Sequence, residues 1–273
     1  MNNQNNRNNQ NNRNNRNNRN NRNNRNNRNN RNNRNNRRPR VIDERSVKEK
    51  LMDTWSPKTQ LGKLVKSEKI NDIDEIFNSG VKILEPEIVD FLLSDLESDF
   101  INIGQRKGKF GGGARAIFRT TQKKTKDGNR PVFTVMAVVG NKNGYVGIGL
   151  GRAKETVPAR DKAVRNAKLN LIKIARGNGS WESEISESNS IPFEIKGKSG
   201  SVKVKFMPAP PGTGLVIENE IKKIFTLAGI KDVWSKATGQ TRQKINLVNA
   251  TMQALIKTTT TKIREEQKPL VHY

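Results

Sequence analysis

Val132-Phe133-Thr134-Val135-Met136-Ala137-Val138-Val139 is apolar and rich in β-formers, and Gly140-Asn141-Lys142-Asn143-Gly144 turns it back into Tyr145-Val146-Gly147-Ile148-Gly149. A run of that kind bounded by glycine and asparagine predicts two antiparallel strands, the first of them central in a sheet. Upstream, Gln122 to Arg130 reads as a basic hairpin loop with Asp127-Gly128 as its turn, and Ala114 to Thr121 as the strand before it. Further back lie the glycine-rich basic turn Gly108 to Gly113 and a short strand, Phe100 to Ile103. Downstream, a long helix is expected from near Pro158 to about Ala175. Ala163, Ala167, Leu171 and Ile174 share one side of it, and Lys162, Arg165, Lys173 and Arg176 the other. The alanines would let the helix lie close on the sheet. Only Asp161 is acidic within it, so the basic stripe lacks partner carboxylates of its own.

The flanks differ in character. Residues 1–40 are an Asn/Arg-rich tail, largely Asn-Asn-Arg repeats with no apolar face to bury, and the expectation is disorder. Residues 41–98 read as an acidic helical extension: a loop at Trp55-Ser56-Pro57-Lys58, a helix facing inward through Ile73, Ile76 and Phe77, and another opened by Glu85-Pro86-Glu87. In that last helix Ile88, Val89, Leu92, Leu93 and Leu96 would form the buried stripe. After the central unit at 99–177 comes a linker at 178–190, a second small unit at 191–262 and a tail at 263–273. In the second unit, strands are expected at Ile191–Lys196 and Ser201–Met207 around a basic turn, Gly197 to Gly200. Helices are expected at Glu218–Ala228 and Gln243–Thr258, with Val233-Trp234 a strand between them and one sheet packed on two helices. The fold class is α+β.

Charge directs the functional reading. The 273 residues carry 52 Lys+Arg against 26 Asp+Glu, a net of +26, yet residues 41–103 are net negative. Residues 104–176 hold 18 basic and 3 acidic residues. So concentrated a surplus favours a polyanionic partner, nucleic acid first. With no cysteine and a single histidine, His272, there is no thiolate nucleophile, no Cys-ligated metal site and no histidine triad to build. The longest wholly apolar stretch of the centre, Val135 to Val139, is far short of a membrane span, and the polar N-terminal sequence does not resemble a secretory signal. These features point to a soluble intracellular protein.

Catalytic motifs are weak. Pro208-x-x-x-Gly212-x-Gly214 resembles the phosphate loop of small-molecule kinases of the mevalonate and galactose type, but Leu215-Val216-Ile217 stand where small residues belong. Gly147-Ile148-Gly149-Leu150-Gly151-Arg152 fails the dinucleotide fingerprint, and alternate glycines suit close packing of a strand instead. The basic hairpin is the stronger signal. Arg119, Lys123, Lys124, Lys126 and Arg130 cluster around one turn, with Arg106, Lys107, Lys109 and Arg115 on a neighbouring loop. Lys142, Lys162, Arg165 and Lys198 complete the candidate RNA contacts. Aromatics are 5% of the chain and no stacking-platform signature occurs, so binding is expected through RNA shape and backbone. A free double-stranded-RNA-binding regulator remains the competing reading.

Gly128-x4-Phe133-x-Val135-x2-Val138-Val139-Gly140-Asn141-x2-Gly144-x-Val146-Gly147-x-Gly149 resembles the signature of the universal small-subunit ribosomal protein S-five family. Gly200-Ser201-Val202, Pro208-Ala209-Pro210-x-Gly212-x-Gly214 and Ala228-Gly229-Ile230-Lys231-Asp232-Val233 are similar to its second half. Trp55-x-Pro57-Lys58-Thr59-x-Leu61-Gly62-Lys63-Leu64-Val65 and Glu87-Ile88-Val89-Asp90-Phe91-Leu92 resemble its archaeal and eukaryotic branch. The resemblance implies a double-stranded-RNA-binding-like α-β-β-β-α domain followed by a βαβ domain that shares its ancestry with those kinases. It implies a structural role in the cytoplasmic ribosome, with small-subunit rRNA and neighbouring ribosomal proteins as partners where mRNA enters the subunit. The family's hairpin, Arg119 to Arg130 here, would touch rRNA near the decoding region and affect accuracy. Asn129 replaces the basic residue or Gln usual after the first glycine, with Arg130 next. Asn178 and Ser183 stand where some archaeal relatives carry cysteines, so no metal and no cofactor are expected. Nor are a membrane or a small-molecule substrate. The acidic extension is expected to meet a basic ribosomal neighbour.

Overall fold

A computed structural model of the chain describes residues 54–106, 113–178 and 188–262, together with the backbone of 271–272. The Asn/Arg repeat, Lys107, Lys109, most of the expected linker and residues 263–270 lie outside the described residues.

The acidic extension folds as three short helices, α1 (Gln60–Lys66), α2 (Ile73–Ser79) and α3 (Pro86–Leu92). Thr59 caps α1 by accepting from the Gly62 N–H at 3.0 Å, and Pro86 opens α3. Glu85 ties the segment together. Its carboxylate accepts from Trp55 Nε1 at 2.9 Å, the Lys58 N–H at 2.9 Å and the Thr59 N–H at 2.6 Å. Burial pushes the Glu85 carboxyl up, but these donors outweigh it and hold the group below its ordinary range. Because α3 stops at Leu92, Leu93 and Leu96 are not part of a helical stripe. Phe91 takes the deep position instead, its ring 6.5 Å from that of Trp55.

The central sheet is antiparallel. Strand β1 (Glu97–Ile101) starts earlier than its apolar residues suggest. A small ladder of β2 (Gly104–Gln105) with β3 (Arg115–Ala116) precedes β4 (Arg119–Thr125), so the strand expected over Ala114–Thr121 is broken at Ile117-Phe118. The long β5 (Gly128–Gly140) pairs along one edge with β4 through its first half and with β1 through its second. Its other edge pairs with β6 (Tyr145–Ala153). The expected loop Gln122–Arg130 is therefore mostly ladder. Only Lys126 and Asp127 form the turn, and Gly128 follows with φ +112°, a conformation glycine adopts at little cost.

Helix α4 (Thr156–Leu169) covers one face of this sheet. Val135, Ala137 and Val139 face it, together with Ala159, Ala163 and Ala167. The alternate glycines of β6 make the approach possible: a Cβ on Gly147, Gly149 or Gly151 would sit 2.2–2.3 Å from the backbone of α4. The helix ends six residues before the expected Ala175. Asn170 caps it while its amide donates to the Ile148 carbonyl at 3.3 Å, and β7 (Leu171–Lys173) then joins the edge of β6. Leu171 and Ile174 are buried, but from this strand and the residues after it, so Lys173 and Arg176 do not belong to a helical stripe. The apparent helical period arose because strand residues happened to continue it.

Nor are all the cations near α4 unpartnered. Lys168 Nζ lies 2.7 Å from the carboxylate of Asp90, and Lys173 Nζ lies 2.8 Å from that of Asp74, both on the extension. Part of the extension's acid is thus spent within the chain. Asp74 also accepts from the Tyr145 hydroxyl. Burial raises the Asp74 carboxyl, but Lys173 and Tyr145 outweigh it and leave it below its ordinary 3.8. A lowered carboxyl adds stability above its unfolded value and loses it as pH falls through the folded one. The stability gap between wild type and Asp74→Asn should therefore be constant at neutral pH and close as pH falls below 3.8. Denaturant midpoints across that range test this; a gap that stays constant in acid would contradict it.

A short strand, β8 (Arg176–Gly177), pairs antiparallel with β13 (Val271–His272). The C-terminal sheet has the order β11-β12-β10-β9, from β9 (Ile195–Ser199), β10 (Val202–Pro208), β11 (Leu215–Val216) and β12 (Val233–Thr238). The expected turn Gly197–Gly200 is largely strand. Gly197 is needed there because a Cβ would sit 1.9 Å from the Ala250 carbonyl of α6 (Lys244–Thr260). Helix α5 (Asn219–Ala228) links β11 to the parallel β12, a βαβ unit.

One core runs through both halves. Met136, Val138 and Val146, on the sheet face opposite α4, join Phe206, Ile224, Phe225 and Leu255 in a single buried cluster. Helix α5 is fastened to the first sheet at both ends. At its start, the Glu220 carboxylate accepts from the Asn102 N–H at 2.8 Å and from its side-chain amide at 2.9 Å. At its end, the Lys142 and Gly144 N–H groups donate to the Leu227 and Ala228 carbonyls at 2.8 and 3.0 Å. Carbonyls that a helix end leaves unpaired are thereby satisfied by the turn the sequence placed between β5 and β6.

Candidate nucleic-acid interface

The β4–β5 ribbon extends past the sheet proper. Side chains alternate between its faces, so Arg119 and Lys123 share one face, and the ladder sets Lys123 directly opposite Arg130. Thr134 lies between Arg119 and Arg152 across three strands, which adds Arg152 to that face. Lys124, opposite Asn129, points the other way, and Lys126 sits at the tip. All these cations are exposed. Arg130 has one acidic neighbour, Asp127 at 3.2 Å, and both side chains are more than half exposed. Like charges directly opposite on a ladder repel, and a phosphate lying between Lys123 and Arg130 would remove the penalty.

Arg106 and Arg115 are exposed beside the root of the ribbon on the β2–β3 ladder, whose Gly104 lies against the Phe118 carbonyl. Lys107 and Lys109 lie outside the described residues. Arg160 does different work: its guanidinium carbon sits 4.8 Å from the Phe118 ring centroid, packed under the ribbon. The other candidates are elsewhere. Lys142, at the β5–β6 turn, is 2.5 Å from the Glu97 carboxylate. Lys162 and Arg165, on the outer side of α4, line a cleft they share with Glu87, Asp90 and Asp161. That mixed charge suits a polyanion less well than the ribbon does.

Lys198 belongs to a group that sequence reasoning mostly missed. Lys196 and Lys198 on β9, Lys203 and Lys205 on β10, and Lys236 on β12 point away from the core, in register across the sheet. The signal was present in Val202-Lys203-Val204-Lys205-Phe206, an alternation of buried and charged residues. The kinase-like loop offers no phosphate cradle, since the Gly214 N–H donates to the Asp232 carboxylate at 2.7 Å and that anion is already in place. Among the described residues no His, Cys, Asp or Glu cluster suits a metal, and no helix is long and apolar enough to cross a membrane.

Comparison with known proteins accounts for this arrangement. Residues 117–175 match the family model of the ribosomal protein S5 N-terminal domain, and residues 197–268 that of the ribosomal protein S5 C-terminal domain. The small ribosomal subunit protein uS5 of Nanoarchaeum equitans is 49% identical over 213 residues, covering 78% of this chain and 91% of its own. The uS5 protein of Methanobrevibacter smithii is 48% identical over 204 residues, 75% of this chain and 89% of its own. That of Hyperthermus butylicus is 46% identical over 209 residues, 76% of this chain and 91% of its own. With both domains matched in order and near-half identity across three quarters of its length, the chain belongs to the archaeal branch of the small ribosomal subunit protein uS5 family.

Proposed function

We propose that this chain binds small-subunit rRNA through the β4–β5 ribbon, beside neighbouring ribosomal proteins where mRNA enters the subunit, and there supports assembly and translational accuracy. Family membership makes it a structural constituent of the small ribosomal subunit and not an enzyme. The ribbon carries the finer reading. It is a two-stranded projection rooted in a packed sheet, bearing exposed cations on both faces and at its tip, and such a body can reach phosphates on either flank of an RNA groove. Arg106, Lys107, Lys109, Arg115, Lys142, Lys162, Arg165 and Lys198 are proposed as secondary contacts. A cytoplasmic location follows from the ribosomal one.

Reversing three charges in Lys123→Glu, Lys124→Glu and Arg130→Glu should deplete small subunits in sucrose gradients or raise the misreading rate of those that assemble. These side chains are exposed, so the fold should survive. Normal polysome profiles together with normal error rates would remove the ribbon from the function.

A further inference from the structure

The outward face of the C-terminal sheet carries more than lysines. Val216, Trp234 and Met207 form one cross-strand row, the next row along holds Lys236, and the one beyond it pairs Lys203 with Lys198. Trp234 is 42% exposed and Val216 53% exposed, a large ring left in water beside a cationic surface. Two lysines of the face are balanced by Glu194, at 3.0 Å from Lys196 and 2.7 Å from Lys205. Lys198, Lys203 and Lys236 meet no carboxylate among the described residues. The ladder also holds Lys198 and Lys203 directly opposite each other, an arrangement unfavourable without an anion above it. Rows of cations about 7 Å apart along the strands and about 5 Å apart across them suit a chain of phosphates better than one small anion. A flat exposed indole at the end of such rows is a surface on which a base can stack.

We propose that this face binds an RNA segment through an unpaired nucleotide, its base stacked on Trp234 and the adjoining phosphates over Lys198, Lys203 and Lys236. The idea deepens the RNA-binding reading and rests on it, but it does not depend on the ribbon.

The test uses the full chain and a fluorescein-labelled, unstructured RNA dodecamer, titrated at several salt concentrations. Trp234→Ala should weaken binding roughly tenfold without changing the salt slope, and Trp234→Phe should recover most of that loss. Converting Lys198, Lys203 and Lys236 together to Ala should reduce the slope of log affinity against log salt by about 2, at about 0.7 per phosphate contact on a single strand. A blunt duplex of the same length should bind without dependence on Trp234. If these variants leave affinity and slope unchanged while the ribbon reversal lowers them, this inference falls and the ribbon reading stands. If the wild-type chain ignores RNA even in dilute salt, the RNA reading falls first. Crosslinks from Lys198 or Lys203 to protein and not rRNA in intact subunits would also overturn the inference.

Discussion

Gly149→Val unfolds the protein or lowers its stability by about 3 kcal/mol or more. A Cβ at Gly149 would lie 2.2 Å from the Ala167 nitrogen, 2.3 Å from the Ala163 oxygen and 2.6 Å from the Asn166 carbonyl carbon. Every one of those atoms is backbone, so no side chain can swing aside. The helix must lift, and lifting it uncovers Val135, Ala137 and Val139, which are fully buried. Gly128→Ala is the control. Nothing lies within 4 Å of its Cβ position, so only the positive φ is strained, at about 1 kcal/mol. Guanidinium denaturation of both variants gives the comparison, and a Gly149→Val midpoint near wild type would refute the packing argument.

Glu218→Ala should cost about 3 kcal/mol, from a different cause. Glu218 lies 2.7 Å from Lys244 Nζ, whose side chain is only 6% exposed, and it also accepts from the Glu220 N–H at 3.0 Å as the cap of α5. Its removal leaves a buried ammonium without its charge partner and an uncapped helix start. Glu218→Gln keeps one of the two acceptor oxygens, since its amide nitrogen can only donate, and should lose less than Glu218→Ala. Adding Lys244→Met to Glu218→Ala should recover much of the stability, because the unpaired charge is then gone. A double variant no more stable than Glu218→Ala alone would place the cost in the cap.

The sheet was legible because its strands obey local rules: apolar runs, glycine-asparagine turns and, in β6, glycines at every second position. The alanines of α4 revealed its buried face for the same reason. Its end was not legible, since Leu171 and Ile174 continue a helical period while a neighbouring strand edge claims them. Ion pairs such as Asp90–Lys168 join residues far apart in the chain, so a count of acids within one helix could not find them. At the site, the cluster around the hairpin turn was visible in sequence. Its division between two faces, which sets Lys123 beside Arg130 and Lys124 opposite, needed the register. The lysine rows of the second sheet escaped because they are assembled from three strands, and Trp234 became informative only once its side of β12 was known.

The shared core has a consequence for biogenesis. During synthesis the central sheet emerges from the ribosome well before α5 and α6, yet Met136, Val138 and Val146 receive their cover only from the later segments. Until residues near Phe225 and Leu255 have left the exit tunnel, the nascent chain presents one apolar sheet face to the cell. That interval is when a holdase would have most to gain from binding it.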